Sequence, residues 1–234
     1  MAQGRFRRVE RNADRSFIMN SSLKPEIACE RLIKKLREKG IVDEKVLEAL
    51  RKVPRHLFVD SMFFSQAYDD NALPLGNKQT ISQPYVVALM TQLLRLSQDD
   101  KILEIGTGSG FQTAILAQFS RRVYTIERNR DLGDAARKRL RDMGYENIVF
   151  KVGDGSGGWP QHAPFDRIIV TAGAPAMPPS LAGQLADGGI MVVPAGNRSI
   201  QDLEVYEKTP EGLKKTSAGG VVFVPLIGDE GWEQ

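Results

Sequence analysis

Lys101-Ile102-Leu103-Glu104-Ile105-Gly106-Thr107-Gly108-Ser109-Gly110 is the run whose reading decides the fold. Apolar residues of strand length end in three glycines spaced by one residue, and a helical pattern over 111–119 follows at once. Glycines at such a turn reach dihedrals closed to other residues and let a ligand approach the backbone. The helix start that follows offers N–H groups with no intrahelical partner. Outward from this unit, short apolar runs alternate with helical stretches: 123–126, 132–143, 148–152, 168–170 and 190–193. Alternation of this kind implies a mainly parallel sheet covered on both faces.

After Asn197 the pattern becomes strand-rich, at 203–207 and 221–226, around the turn-prone Thr209-Pro210-Glu211-Gly212. Two strands with no helix between them predict an antiparallel finish. Upstream, Pro25 opens a helix with Ile27, Ala28, Leu32, Ile33 and Leu36 on one face, closed by Gly40. Asp43 can cap a second helix that stops before Pro54. Residues 55–80 show no period, and Pro84 starts a third helix with Val87, Leu89, Met90, Leu93 and Leu94. The expected architecture is a Rossmann-like, doubly wound α/β sheet with an N-terminal helical appendage. It comprises a flexible basic leader over 1–22 and a single domain over 23–234. Within that domain, 23–97 is the helical part and 98–234 the cofactor-binding core.

Three acids stand at successive strand ends: Glu104 before the glycines, Glu127 after Val123-Tyr124-Thr125-Ile126, and Asp154 in Gly153-Asp154-Gly155. Strand ends of an open α/β sheet face one crevice. Glu127 can accept from ribose hydroxyls and Asp154 from an exocyclic amine such as adenine N6. A carboxylate at Glu104 repels a pyrophosphate and suits an ammonium group. That favours S-adenosylmethionine, with its amino-acid tail, over a dinucleotide, and makes Gly106, Gly108 and Gly110 the turn around it.

The chain has 234 residues, 41% of them hydrophobic and 26% charged, enough for a real core. The net charge of +3 is uneven, since Arg5, Arg7, Arg8, Arg11 and Arg15 all precede the first periodic segment. No stretch reaches the roughly 18 apolar residues of a membrane span, and no signal-peptide core is present. One cysteine, Cys29, excludes an internal disulfide and suits a reducing cytoplasm; it reads as a core residue. No Cys/His group has zinc spacing.

Longer stretches carry a resemblance. Gln79-Thr80-Ile81-Ser82-Gln83-Pro84-Tyr85 is similar to the motif ahead of the nucleotide site in the protein-L-isoaspartate O-methyltransferases. Asp154-Gly155-Ser156-Gly157-Gly158-Trp159-Pro160, with Ala163-Pro164-Phe165-Asp166 and Ile169-Val170-Thr171-Ala172, resembles their central motif. Leu185-Ala186-Asp187-Gly188-Gly189, Val192-Val193-Pro194-Ala195-Gly196 and the closing Val222-Phe223-Val224-Pro225-Leu226 resemble later ones. The resemblance covers residues 25 to 228.

It implies methyl transfer from S-adenosylmethionine to the free α-carboxylate of isoaspartyl residues in damaged proteins, with S-adenosylhomocysteine as product. The ester then closes to a succinimide that reopens partly to aspartate. It implies Ser82 as the active-site residue, though a helix-cap role before Pro84 is equally open. It implies cofactor contacts at Gln79, Thr80, Ile81, Ser82, Gly106, Glu127, Asp154 and Gly155. Val87 and 227–232 depart from polar contacts found in some relatives. The loop Thr171-Ala172-Gly173-Ala174-Pro175 is expected to border the substrate, and Trp159 to cover the pocket or pack in the core. His56 and His162 are expected to be structural or exposed. The partners expected are isoaspartyl proteins, with no nucleic acid and no membrane, for a cytoplasmic monomer. The rivals are a methyltransferase of RNA or a small molecule, and a protein that only binds a nucleotide. The 171–174 stretch lacks the Asn/Asp-Pro-Pro-aromatic pattern of base N-methylation, and a mere binder has no use for 80–82.

Overall fold

Pro25 sits at the first position of α1 (Pro25–Glu38), whose Cys29, Leu32, Ile33 and Leu36 are buried. Asp43 caps α2 (Glu44–Lys52) by accepting from the Lys45 N–H, and the helix ends at Val53, ahead of Pro54. The computed structural model describes residues 24–76 and 79–233, so the expected leader lies outside the described residues. The aperiodic stretch 55–80 holds two 3₁₀ turns and then a hairpin of β1 (Leu73–Gly76) and β2 (Gln79–Ile81). Pro84 opens α3 (Pro84–Leu93), whose cap position is Gln83, with no side-chain cap bond. Capping is therefore not the use made of Ser82.

The core alternates as expected: β3 (Lys101–Ile105), α4 (Phe111–Leu116), β4 (Arg122–Glu127), α5 (Arg130–Asp142), β5 (Ile148–Val152) and β6 (Phe165–Val170). Then come α6 (Pro179–Gln184), β7 (Leu185–Gly196), β8 (Gln201–Thr209) and β9 (Gly212–Val221). The seven strands lie in the order β5-β4-β3-β6-β7-β8-β9. The first five are parallel and the last two antiparallel. Leu103 and Ile105 face one layer with Tyr124, Ile126, Ile168 and Val170, while Ile102 packs on the other face with Met90 of α3 and Leu94 just after it. The N-terminal helices close against α4, where Leu36 and Leu47 share a core with Phe111 and Ile115.

The antiparallel finish differs from expectation in its second strand. That strand is Gly212–Val221, and most of its residues are exposed. The expected strand over 221–226 is instead a non-strand segment tied to the end of β6: Gly173 donates to Val224 O at 2.8 Å and Leu226 donates to Gly173 O at 2.9 Å. Apolar periodicity reports burial. The exposed edge strand leaves no such pattern, and the apolar run after it is only partly buried, with Leu226 inside and Val222 exposed.

Strand alternation turns Glu104 away from Ile105 and towards α4. It is fully buried, and the hydroxyls of Thr113 and Thr125 each donate to its Oε2 at 2.6 Å. Burial raises its carboxyl from the ordinary 4.5 to about 8, against the pull of the two hydroxyl donors. The folded chain thus holds a proton there that the unfolded chain releases above pH 4.5. Stability from this group is complete below that pH and falls as pH rises to 8. Glu104→Gln does not titrate. Urea melts are expected to show the variant gaining on the parent by on the order of 1 kcal/mol or more between pH 5 and pH 8. A pH-independent difference would mean that the buried carboxyl is ionised throughout.

Candidate functional site

The glycine turn after β3 winds through positive φ at Gly106 (99°), Gly108 (52°) and Gly110 (85°). A Cβ on Gly106 would fall on the Thr171 hydroxyl, which itself donates to Ile105 O and Gly106 O at 2.9 and 2.6 Å. A Cβ on Gly155 would lie 2.7 Å from Ile105 Cγ2. The backbone therefore passes close to its neighbours here and leaves the space above the strand ends open.

That space is a cavity of about 230 Å³. Its floor is the turn, with Gly106 and Gly108; one side carries Glu127 and Gly155, and the other Gln79, Thr80, Ile81 and Ser82. These expected site residues come together from four separate parts of the chain. Glu127 is held rigidly: its Oε2 accepts from Gly108 N–H and its Oε1 from Asn129 N–H, both at 2.8 Å. A carboxylate has about four acceptor positions, so about two remain for a ligand.

Three expected contacts are not on the cavity wall. Glu104 points into the α4 layer, so its expected pairing with an ammonium group is corrected: the strand pleat aims it at Thr113 and Thr125. Gly110 serves packing, since a Cβ there would stand 2.9 Å from Leu140 Cδ1. Asp154 is exposed, and its oxygens accept from backbone donors: Oδ1 from Ser156 N–H and Oδ2 from Asp229 N–H, both at 2.8 Å. Burial raises its carboxyl, but these donors, the Ser156 hydroxyl and Arg128 outweigh that and hold it below the usual range. Asp154 thus clasps the 228–232 segment, whose Glu230 is in turn bonded to Ser180 and to the Ser156 hydroxyl.

The segment carrying Ser82 is positioned by Asp70, whose side chain is fully enclosed. Its Oδ1 accepts from Tyr85 N–H at 2.9 Å, its carbonyl from Gln83 Nε2 at 2.9 Å, and its Oδ2 from the Lys39 ammonium at 2.5 Å. Ser82 follows β2 and has no hydrogen-bond partner for its hydroxyl among the described residues. It lines the first cavity and also a second, larger one of about 730 Å³. Thr80, Thr171 and Val224 are shared by both walls in the same way. The second cavity has an apolar rim with the exposed Ile200 and Val222.

Phe111 and Gln112 at the start of α4 and Arg128 and Asn129 after β4, none given a site role from the sequence, also line the first cavity, as do 224–227. The first four follow motif positions directly, so their place in the sequence was a usable signal. Residues 224–227 arrive from far along the chain, and their signal was the resemblance of Val222–Leu226 to a family motif. Val87 lines the cavity as an apolar residue. Trp159 and His162 pack with Tyr124, at ring distances of 5.6 and 4.5 Å, and line neither cavity. His56 pairs with the Tyr68 hydroxyl at 2.8 Å, and burial pushes it down to about 4. Burial pushes the Cys29 thiol up to about 11, as befits a core residue.

Residues 28–231 match the family profile described as protein-L-isoaspartate(D-aspartate) O-methyltransferase (PCMT). The chain belongs to this family. Similar curated relatives include protein-L-isoaspartate O-methyltransferase 1 of Syntrophobacter fumaroxidans, 57% identical over 198 residues, which are 85% of this chain and 92% of the relative. The Dictyoglomus turgidum protein-L-isoaspartate O-methyltransferase is 53% identical over 86% of this chain and 92% of its own. Among solved structures, a protein-L-isoaspartate O-methyltransferase superposes with a TM-score of 0.78 at 29% identity, over 87% of this chain and 67% of that one. A Plasmodium falciparum beta-aspartate methyltransferase (PCMT) in complex with S-adenosyl-L-homocysteine shares the fold, with a TM-score of 0.73 at 24% identity over 84% and 97% of the two chains.

In this PCMT-family chain, removing the Asp154 carboxylate frees two N–H donors that water can reach. Asp154→Ala is expected to cost only about 0.5–1.5 kcal/mol in denaturant unfolding. Amide exchange over 228–232 is expected to quicken, as mass spectrometry would read. Unchanged exchange there would show that Glu230 and Trp232 hold the segment without Asp154.

Proposed function

We propose that this protein is a repair methyltransferase, which moves a methyl group from S-adenosylmethionine to the free α-carboxylate of L-isoaspartyl residues and releases S-adenosylhomocysteine. The observation that carries this reading is the Ser82 hydroxyl, without a partner among the described residues, on a wall shared by two cavities. The narrower cavity takes the cofactor and the wider one the polypeptide acceptor. Family membership supports the same reaction.

The residues present fit the cofactor. Glu127 keeps acceptor positions for ribose hydroxyls, Gly106 and Gly155 leave room for close approach, and Ile105, Ile126 and Leu226 supply apolar walls. When bound, the cofactor supplies an electrophilic methyl group on a sulfonium sulfur. The acceptor carboxylate is already ionised at neutral pH, so the protein needs no general base. His56 and His162 are accordingly absent from both walls. Ser82 donates a hydrogen bond that orients the carboxylate, and the β1–β2 hairpin with the 224–227 segment excludes water. Positioning of this kind can supply on the order of 7–11 kcal/mol. The methyl ester leaves the enzyme, and the neighbouring backbone nitrogen attacks it unaided, expelling methanol, to give a succinimide that water reopens partly to aspartate.

On this reading one methyltransferase domain over 23–234 works as a cytoplasmic monomer. Its partners are damaged proteins, and neither nucleic acid nor membrane takes part. Among the described residues no helix is long and apolar enough to cross a membrane.

Labelled methyl transfer to an isoaspartyl peptide, beside its normal aspartyl twin, tests the reading. Label is expected on the first alone, and equal labelling of both would overturn it. Ser82→Ala is expected to lower kcat by about ten- to a thousandfold with little change in melting temperature, as the hydroxyl serves no described bond. Parent-like turnover would remove Ser82 from the chemistry. Glu127→Ala is expected to weaken S-adenosylhomocysteine binding by roughly 1–3 kcal/mol in calorimetry. Tight binding of NAD in place of S-adenosylhomocysteine by the parent would sink the cofactor assignment.

A further inference from the structure

Arg55 is 1% exposed, in the first 3₁₀ turn after α2. Its Nε donates to Ala67 O at 2.9 Å and its Nη2 reaches Asn71 O at 3.4 Å. Its guanidinium carbon lies 4.9 Å from the centroid of the Phe111 ring. It has no ion pair among the described residues, and its Nη1 is buried without an acceptor there. A buried cation is costly, and a buried donor without an acceptor adds to the cost. An apolar side chain of similar volume would serve a plain core better, so the charge answers a need other than stability.

The two ends of this contact belong to different cavities. Phe111 lines the cofactor cavity, whereas Asn71 and Ala72 line the wider acceptor cavity. Between Ala67 and Asn71 lies Asp70, which holds Gln83 and Tyr85 on either side of Pro84, just beyond Ser82. We infer that Arg55 is a positioning residue for methyl transfer, fastening the 67–72 loop, whose Asn71 and Ala72 line the acceptor cavity, to the Phe111 wall of the cofactor cavity. This rests on the proposed function. Arginine suits the task because one planar fork reaches two carbonyls while its face stacks on a ring. A lysine carries the same charge but offers neither the fork nor the face.

The test compares Arg55→Lys, and Arg55→Gln as a second variant should the first not fold, with Leu36→Ala. Leu36 is a fully buried α1 residue that lines neither cavity. The Arg55 variants are expected to lose about 30-fold or more in kcat/KM for an isoaspartyl peptide, the scale of a small misplacement of the reacting groups. Their S-adenosylhomocysteine Kd should stay within about threefold, because the glycine turn and Glu127 are untouched. Amide exchange is expected to quicken over 67–72 and 80–85 and to stay unchanged over 101–110. Leu36→Ala should melt lower yet keep kcat and KM within about threefold. Parent-like kinetics at Arg55, an equal loss in Leu36→Ala, or a loss confined to cofactor binding would each overturn the inference. If the parent fails on isoaspartyl peptide, the acceptor reading falls; the exchange pattern still decides Arg55, and unchanged exchange over 67–72 overturns its role.

Discussion

The Thr171 hydroxyl, closed over the carbonyls of Ile105 and Gly106, is the contact on which the rest of the site depends. It locks the end of β6 to the end of β3, and it leaves no room for a side chain at Gly106. Thr171 also lines both cavities, so the same contact lies on the wall between them. A parallel sheet brings its strand ends to one edge. Here that edge is sharpened into a shared wall by one hydroxyl.

Three acids at neighbouring strand ends have three different fates, set by which way the backbone turns each of them. Glu104 falls on the α4 face, is sealed from water, and keeps its proton up to about pH 8. Glu127, at the end of β4, meets two loop N–H groups that fix it while leaving lone pairs towards the cavity. Asp154, beyond β5, is exposed and works as an anchor for the chain end. Charge type at a motif position therefore did not decide function; the local dielectric and the nearest donors did.

Around this edge, segments remote in sequence complete the enclosure. The β1–β2 hairpin brings Thr80 and Ser82 to the wall through the Asp70 and Arg55 contacts. The 224–227 segment comes from the far end, tied to Gly173 by backbone bonds and by Trp232 Nε1 donating to Gly173 O. The region of the chain with no periodicity thus supplies part of the wall shared by the two cavities. Its path is held by side-chain hubs at Arg55 and Asp70 together with the short β1–β2 ladder.

Much of this was determined by sequence alone. Repeated strand-length apolar runs, the glycine turn and the prolines at helix starts specify their elements locally, through dihedral limits and burial periodicity. The acid at Glu127 was legible for the same reason, because it stands at a strand end; the Thr80–Ser82 motif was legible only through its resemblance to the protein-L-isoaspartate O-methyltransferases. Tertiary structure alone decided the direction of Glu104, the occupation of Asp154 by Ser156 and Asp229, the placement of 212–221 as the edge strand, and the shared wall at Thr171. Each of these turns on which remote backbone group comes within hydrogen-bond reach, and local spacing along a chain does not encode that.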